Sequence, residues 1–245
     1  MPPAALSCQG LRAGYGRLTV VRQFDLEVDA GSVVAILGPN GAGKTTLMAT
    51  LAGLVPRLGG SVTVAGAPLP SGRPAAASRA GVVLVPDDRA LFSSLTVEEN
   101  IAAARRKGGP PVRSILDTFP ALEPRWTLRA GALSGGEQQM VALARAMIQQ
   151  PKVLLIDEMS MGLAPIIVET LLPVVRNVAD ATGAVVVLVE QHVQLALEVA
   201  DVAMVLVHGE IVLRGAPSDL AADPARLEAA YLGAGSTVAA ADHGG

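Results

Sequence analysis

Residues Leu37–Thr46, LGPNGAGKTT, decide how this chain is read. They follow an all-apolar run, Val33-Val34-Ala35-Ile36-Leu37, and lead into Leu47, Met48, Leu51 and Leu54. The run suits a buried strand, and the spaced apolar positions suit one face of a helix. Strand, glycine loop and helix form the setting in which G-x-x-x-x-G-K-S/T holds phosphate. Gly38 through Gly43, then Lys44 and Thr45, fill that pattern without a gap.

The chemistry accounts for the residue types. A triphosphate is gripped best by many backbone N–H groups at once, so the chain must curl around it with few Cβ atoms in the way. Gly38, Gly41 and Gly43 permit the curl, and Pro39, Asn40, Ala42 and Thr46 complete the candidate contact surface. A helix starting near Lys44 aims its unpaired N–H groups and positive dipole end at the same anion. Lys44 reaches the β- and γ-phosphates as a point charge, and the Thr45 hydroxyl is a candidate Mg²⁺ ligand. A glycine turn followed by Lys-Thr by chance is the competing explanation; the flanking strand and helix argue against it. The stretch predicts a nucleotide site.

The 245 residues allow one large α/β domain or two small ones. A net charge of −3 argues against a surface that coats nucleic acid. Aromatics at 2% leave few rings for stacking bases. One cysteine, Cys8, excludes a disulfide framework and fits a reducing compartment. MPPAALS has no basic segment followed by an apolar stretch, so no signal peptide is expected. Mean hydropathy is high, +0.45, yet no apolar run approaches the ~18 residues of a membrane span. A soluble, cytosolic chain is expected.

Residues 5–30 alternate loosely and read as antiparallel strands preceding the nucleotide core. Tyr15, between Gly14 and Gly16, is a candidate to stack on an adenine face, with plain turn packing as the alternative. A β ribbon at Arg57–Val64 and a Pro/Ser/Gly-rich linker at 66–79 come next, then a buried-strand candidate, Val82–Val85. Thr96 reads as a helix N-cap followed by early acids. Residues 112–132 read as helical, broken at Pro120 and Pro124. Leu133-Ser134-Gly135-Gly136-Glu137-Gln138-Gln139 then heads a helix through Gln150. Ser134 and Glu137 make a capping box, which leaves the two glycines unexplained. Glycines in a first turn cost stability and bare N–H groups for close approach by an anion, so a second phosphate-facing helix start is inferred.

Val153-Leu154-Leu155-Ile156 is an apolar strand ending in Asp157-Glu158. Both acids then lie at the carboxyl edge of a parallel sheet, where α/β ligands sit. Asp157 is a candidate Mg²⁺ partner through the metal's water shell, and Glu158 a candidate base for the attacking water. Ala184–Val189 is another buried strand, ending in Glu190-Gln191-His192. Val202–Val207 and Ile211–Leu213 read as a hairpin turned at His208-Gly209. The fold is expected to end near Gly233, with 234–245 a frayed tail.

Phosphate loop, LSGGEQQ, an apolar strand ending in Asp-Glu and a further strand leading to a switch residue, in that order, resemble the ATP-binding cassette (ABC) ATPases. The resemblance spans residues 5–233. VPDDR at 85–89, SLTVEEN at 94–100, LSGGEQQM at 133–140, SMGLAP at 160–165 and VEQH at 189–192 look most like the smaller ATPase subunit of branched-chain amino-acid uptake transporters. The fold so implied is α/β: a RecA-like P-loop core with an N-terminal antiparallel β subdomain (5–86 with 151–233) and a helical subdomain carrying the signature (88–150). The resemblance also implies an ATPase using ATP and Mg²⁺, cytoplasmic and peripheral on the inner face of the membrane. It would pair with a related ATPase beneath two permease subunits fed by an extracytoplasmic solute-binding protein. Two cassettes closing head to tail would place each ATP between Lys44's loop on one chain and Ser134, Gly135, Gly136 and Glu137 on the other.

Four positions depart from the broad pattern of the superfamily. Asp87 stands where a Gln usually touches Mg²⁺, and is a candidate metal-side carboxylate. Met159 replaces a Pro after the two acids, and Ala164 replaces a terminal Asp in the following loop. The usual switch His lies ten residues before an Asp at the end of the next helix, here Asp201, so Gln191 occupies the switch position and His192 is out of register by one. Gln can hydrogen-bond a γ-phosphate but cannot become cationic. Other expectations remain open: importers of urea, amides or other amino acids, and ABC ATPases outside transport. The last usually carry a coiled-coil insertion or a second cassette, and neither lies between Lys44 and Ser134.

Overall fold

Four apolar segments set the architecture: Val33–Leu37 (β3), Val82–Val85 (β6), Val153–Asp157 (β7, apolar up to its closing acid) and Val185–Val189 (β8). β3, β7 and β8 are buried at every position, which is what strands covered on both faces require. The computed structural model describes residues 4–190 and 192–232. In it these four strands run parallel in the order β3-β8-β7-β6.

Next to β3 lies Val202–Val207 (β9), which turns back into Glu210–Gly215 (β10). The turn is the expected His208-Gly209, with φ of 48° and 80°; positive φ at both central residues matches the right-handed twist of a hairpin. β10 meets Leu18–Val28 (β2) through a single registered pair, Glu210 with Gln23. β2 pairs antiparallel with Leu6–Tyr15 (β1), and β1 with Arg57–Val64 (β4), whose far edge carries the two-residue strand Ala67–Pro68 (β5). A parallel nucleotide-type sheet and an antiparallel ribbon are thus joined at one narrow seam.

Alternation along the central strands sorts side chains onto two faces. Val33, Ala35 and Leu37 pack into one core, with Leu154, Ile156, Val186 and Leu188 and the helices Gly135–Met147 (α4) and Pro165–Thr182 (α5). Val34 and Ile36 pack into the other, with Lys44–Leu51 (α1), the antiparallel ribbon and Leu155. Cys8 lies in this second core; burial pushes its thiol up to about 12 and leaves it an inert packing group.

Between β6 and β7, among the described residues, lie only helical elements and one isolated bridge, Thr96 with Arg129. Val97–Ala104 (α3) starts at a complete capping box of Thr96 and Glu99. The stretch 112–132 forms short 3₁₀ segments at Val112–Asp117, Pro120–Arg125 and Ala130–Ala132. The helical expectation there is corrected because Pro120 and Pro124 remove backbone donors that an α-helix needs. α4 ends at Met147, three residues early, with Gln150 at φ 52° turning the chain into β7. The 66–79 linker holds most of a helix, Pro74–Ala80 (α2), opened by proline at its first position and closed by Gly81 at φ 96°. Val193–Val199 (α6), Pro217–Ala222 (α7) and Pro224–Leu232 (α8) complete the fold. The expected tail at 234–245 lies outside the described residues.

Candidate nucleotide site

β3 delivers the chain at Leu37 to the loop 38–43, and α1 begins at Lys44. Two glycines are required by contact. A Cβ on Gly38 would stand 2.0 Å from the Leu206 carbonyl oxygen, and one on Gly43, at φ 107°, would press on Val20 and Val21 at 3.1 Å. Gly43 offers no side-chain cap to α1, so the first-turn N–H groups face the loop's interior, as an anion site needs. Lys44 is buried, and its Nζ donates to the carbonyls of Gly38 at 2.8 Å and Pro39 at 3.0 Å. Those bonds hold the ammonium over the mouth of the curl. A cavity of about 160 Å³ opens there, lined by Val20, Asn40, Gly41, Gly43, Lys44, Thr45, Thr46 and Glu158. Pro39 and Ala42 shape the loop instead: Ala42 N–H donates to the Pro39 carbonyl, and the Ala42 carbonyl accepts from Gly209 N–H.

β7 brings both acids to this cavity's edge. Glu158 sits at φ 46°, a left-handed conformation uncommon outside glycine, and its carboxylate is 3.6 Å from Lys44 Nζ. Strain of this kind, on the order of 1–3 kcal/mol, persists where surroundings over-determine it and clusters at functional sites. Asp157 is buried beside Thr45, whose hydroxyl hydrogen-bonds it. Burial raises its carboxyl to about 6; the Thr45 bond opposes that rise, and the charges of Asp87 and Glu158 add to it.

Among the described residues no cluster of three or more His, Cys, Asp or Glu would grip a metal alone. Mg²⁺ asks for less: one or two carboxylates, a hydroxyl, waters and the phosphates themselves. The residues fit it. Asp157 Oδ1 is buried without a hydrogen-bond partner, Thr45 adjoins it, and Asp87 is near enough for its charge to be felt. Bound there, the ion would neutralise phosphate charge.

The signature turn lies elsewhere. Ser134 N-caps α4 in a full capping box with Glu137, and no residue of Ser134–Glu137 lines the cavity above. The Glu137 carboxylate is committed to the turn: it accepts from Arg125 Nε at 2.6 Å and from Ser134 N–H at 2.9 Å, bonds that hold it below the usual carboxylate range. Gly136 is small for packing, since a Cβ there would stand 2.9 Å from Ile167 Cγ2 on α5. Gly135 is only half-buried, and a Cβ there would stand 3.3 Å from Leu163 Cδ2. Tyr15 ends β1 and is 55% exposed; it does not line the cavity, although Val20 of the next strand does. Gln191 lies outside the described residues, while His192 precedes α6 as its cap residue.

Two residues escaped the sequence reading. Glu190, fully buried at the end of β8, accepts from Ser160 N–H at 3.0 Å and from the Ser160 hydroxyl, tying the loop after Glu158 to the strand before Gln191. An acid closing an apolar strand beside Asp157-Glu158 was the available signal. Arg89, at φ 64°, bonds residues from two distant segments.

A phosphate curl after β3, a parallel strand one removed from it that runs into two acids, and a lysine between them define a P-loop nucleotide hydrolase. The family model for ABC transporters matches residues 21–161. The chain is 39% identical to the high-affinity branched-chain amino acid transport ATP-binding protein BraG of Pseudomonas aeruginosa, covering 93% of this chain and 99% of that protein. It is 34% identical to the probable branched-chain amino acid transport ATP-binding protein LivF of Archaeoglobus fulgidus, over 86% and 91%. In fold it resembles the ADP conformation of an ATP-binding cassette of an ABC transporter, with TM-score 0.80 at 23% identity over 94% and 99% of the two chains. The chain belongs to the ABC transporter family, as an ATP-binding cassette that hydrolyses ATP to drive transport.

Proposed function

We propose that this chain energises import of branched-chain amino acids, working on the cytoplasmic face of a membrane beneath two permease subunits and beside a related ATPase. The observation that carries the catalytic part is Glu158 held 3.6 Å from Lys44 at the mouth of the phosphate curl. In the proposed cycle Glu158 takes a proton from water as the water oxygen bonds the γ-phosphorus. The bond from that phosphorus to the β–γ bridging oxygen breaks, and ADP and phosphate leave. Lys44 and the N–H groups of the curl bear the charge that develops. Residues 88–150 act as a helical unit that presents Ser134-Gly135-Gly136 to the companion cassette's ATP, and Gln191 contacts the γ-phosphate.

Support for the solute is the pair of relatives above, whose names carry branched-chain amino acid transport. Among the described residues no helix is long and apolar enough to cross a membrane, and the proposal assigns the pathway to the two permease subunits. The test is reconstitution of the assembled transporter in vesicles with its own binding protein. Labelled leucine uptake driven by ATP, competed by isoleucine and valine and lost in Glu158→Gln with ATP binding retained, is expected. Uptake of urea or an amide with no response to leucine overturns the solute assignment.

A further inference from the structure

The loop after β6 carries two successive non-glycine residues in the left-handed region, Arg89 at φ 64° and Ala90 at φ 46°. Side chains hold that costly shape. Arg89 Nε donates to Gln139 Oε1 at 3.0 Å and Nη1 to Gln138 Oε1 at 3.3 Å, both on α4. Its Nη2 donates to the Met161 carbonyl at 3.4 Å, in the loop after Glu158, and lies 3.8 Å from where a Gly135 Cβ would be. Arg145, also on α4, secures the next residue by donating to the Ala90 carbonyl. Gln139 is buried, so its acceptor oxygen would be costly to leave unpaired.

We propose that Arg89 is a positioning residue for ATP hydrolysis. One guanidinium joins three segments, the Asp87 loop, the signature helix and the Glu158–Ala164 loop, and keeps their phosphate-facing groups in one relative geometry. The fork shape is the reason for arginine: three acceptors in three directions suit a planar guanidinium and not a single ammonium. Positioning errors of about 1 Å cost roughly 100-fold in rate, so loosening this joint lowers turnover. It leaves ATP affinity alone, because Lys44 and the phosphate curl are untouched. The proposal rests on the site reading above for Asp87 and Ser134.

The test measures ATPase of the assembled transporter carrying Arg89→Lys, Arg89→Gly, Gln139→Leu or Arg89→Gly with Gln139→Leu. Glycine suits φ 64° and removes only the fork, so it separates backbone from side chain. Expected is a fall in kcat of roughly 10- to 100-fold in both Arg89 variants, with KM for ATP within about twofold. The double variant is expected to be no slower than the worse single one, as members of one network behave. Wild-type kcat in Arg89→Gly, a raised KM at unchanged kcat, or losses that multiply in the double variant overturns the proposal. An assembled transporter whose ATPase and uptake respond to urea or an amide and not to leucine would sink the solute reading alone, since the Arg89 comparison still reads.

Discussion

Asp157 shows at single-residue scale how a site is prepared at the expense of the empty fold. Its carboxyl is raised from 3.8 to about 6 mainly by burial. Below pH 3.8 both folded and unfolded chains hold the proton and nothing is lost. Between 3.8 and about 6 the unfolded chain ionises first, so the folded state binds more protons and stability falls as pH rises. Above about 6 the full penalty applies. Asp157→Asn is therefore expected to raise the melting temperature of nucleotide-free, metal-free protein at pH 8, with the gain shrinking towards pH 4, while abolishing Mg-ATP hydrolysis. Thermal scans at both pH values check the sign. A second expectation concerns register: His192 precedes α6 as its cap without a side-chain hydrogen bond to the helix, and the ten-residue spacing to Asp201 is what proposes Gln191 for the switch position. His192→Ala should keep near-normal ATPase in the assembled transporter and Gln191→Ala should not. The reverse result would move the switch by one residue.

Helices α3 and α4 begin with the same device and serve different ends. Thr96 and Ser134 each accept from the backbone N–H three residues on, and each closing glutamate answers the cap's own N–H. Losing such a cap costs about 1 kcal/mol. Thr96→Ala and Ser134→Ala should lower stability by similar amounts in denaturant titrations. Only Ser134→Ala should also depress ATPase of the assembled transporter, because Ser134 is exposed at the helix start proposed to meet a companion's phosphate. Equal activity in both variants would reduce the signature to a capping motif. Elements with one dominant physical cause were legible in the sequence: the apolar strands β3, β7 and β8, the His208-Gly209 hairpin, the Thr96 N-cap, the Ser134–Glu137 capping box and the phosphate curl. Those settled by competition were not. Residues 112–132 carry helix-compatible composition, and the prolines decide for 3₁₀ turns; α2 hides in a stretch whose Pro and Gly read as linker. Arg89 was invisible because its partners lie 49 to 72 positions away, and neither lone arginine nor Gln-Gln signals a bond. The smallness of Gly136 likewise answers to Ile167 on α5, a contact with no trace in local spacing.

Taken whole, the molecule holds two half-sites that do not meet. The phosphate curl, Lys44 and Glu158 share one cavity, and Ser134–Glu137 lines none of it. On the proposed function such a chain would take its second set of phosphate donors from another cassette, and nucleotide would act as a bridge that stabilises the pair by mass action. Met161 (49%), in the loop after Glu158, and Ile166 (65%), in the first turn of α5, are exposed. Breaking the bridge is the chemical step, so blocking the step should lock the pair. With Glu158→Gln in this chain and the matching change in its companion, ATP and Mg²⁺ should shift the mixture to the mass of two cassettes in sedimentation. ADP should return it to single chains. The wild-type rate per chain should rise with total concentration and level off, as a second-order association requires. A rate per chain that stays flat on dilution, with single-chain mass in the locked variant, would mean one cassette completes its own site, and Ser134 would need another role.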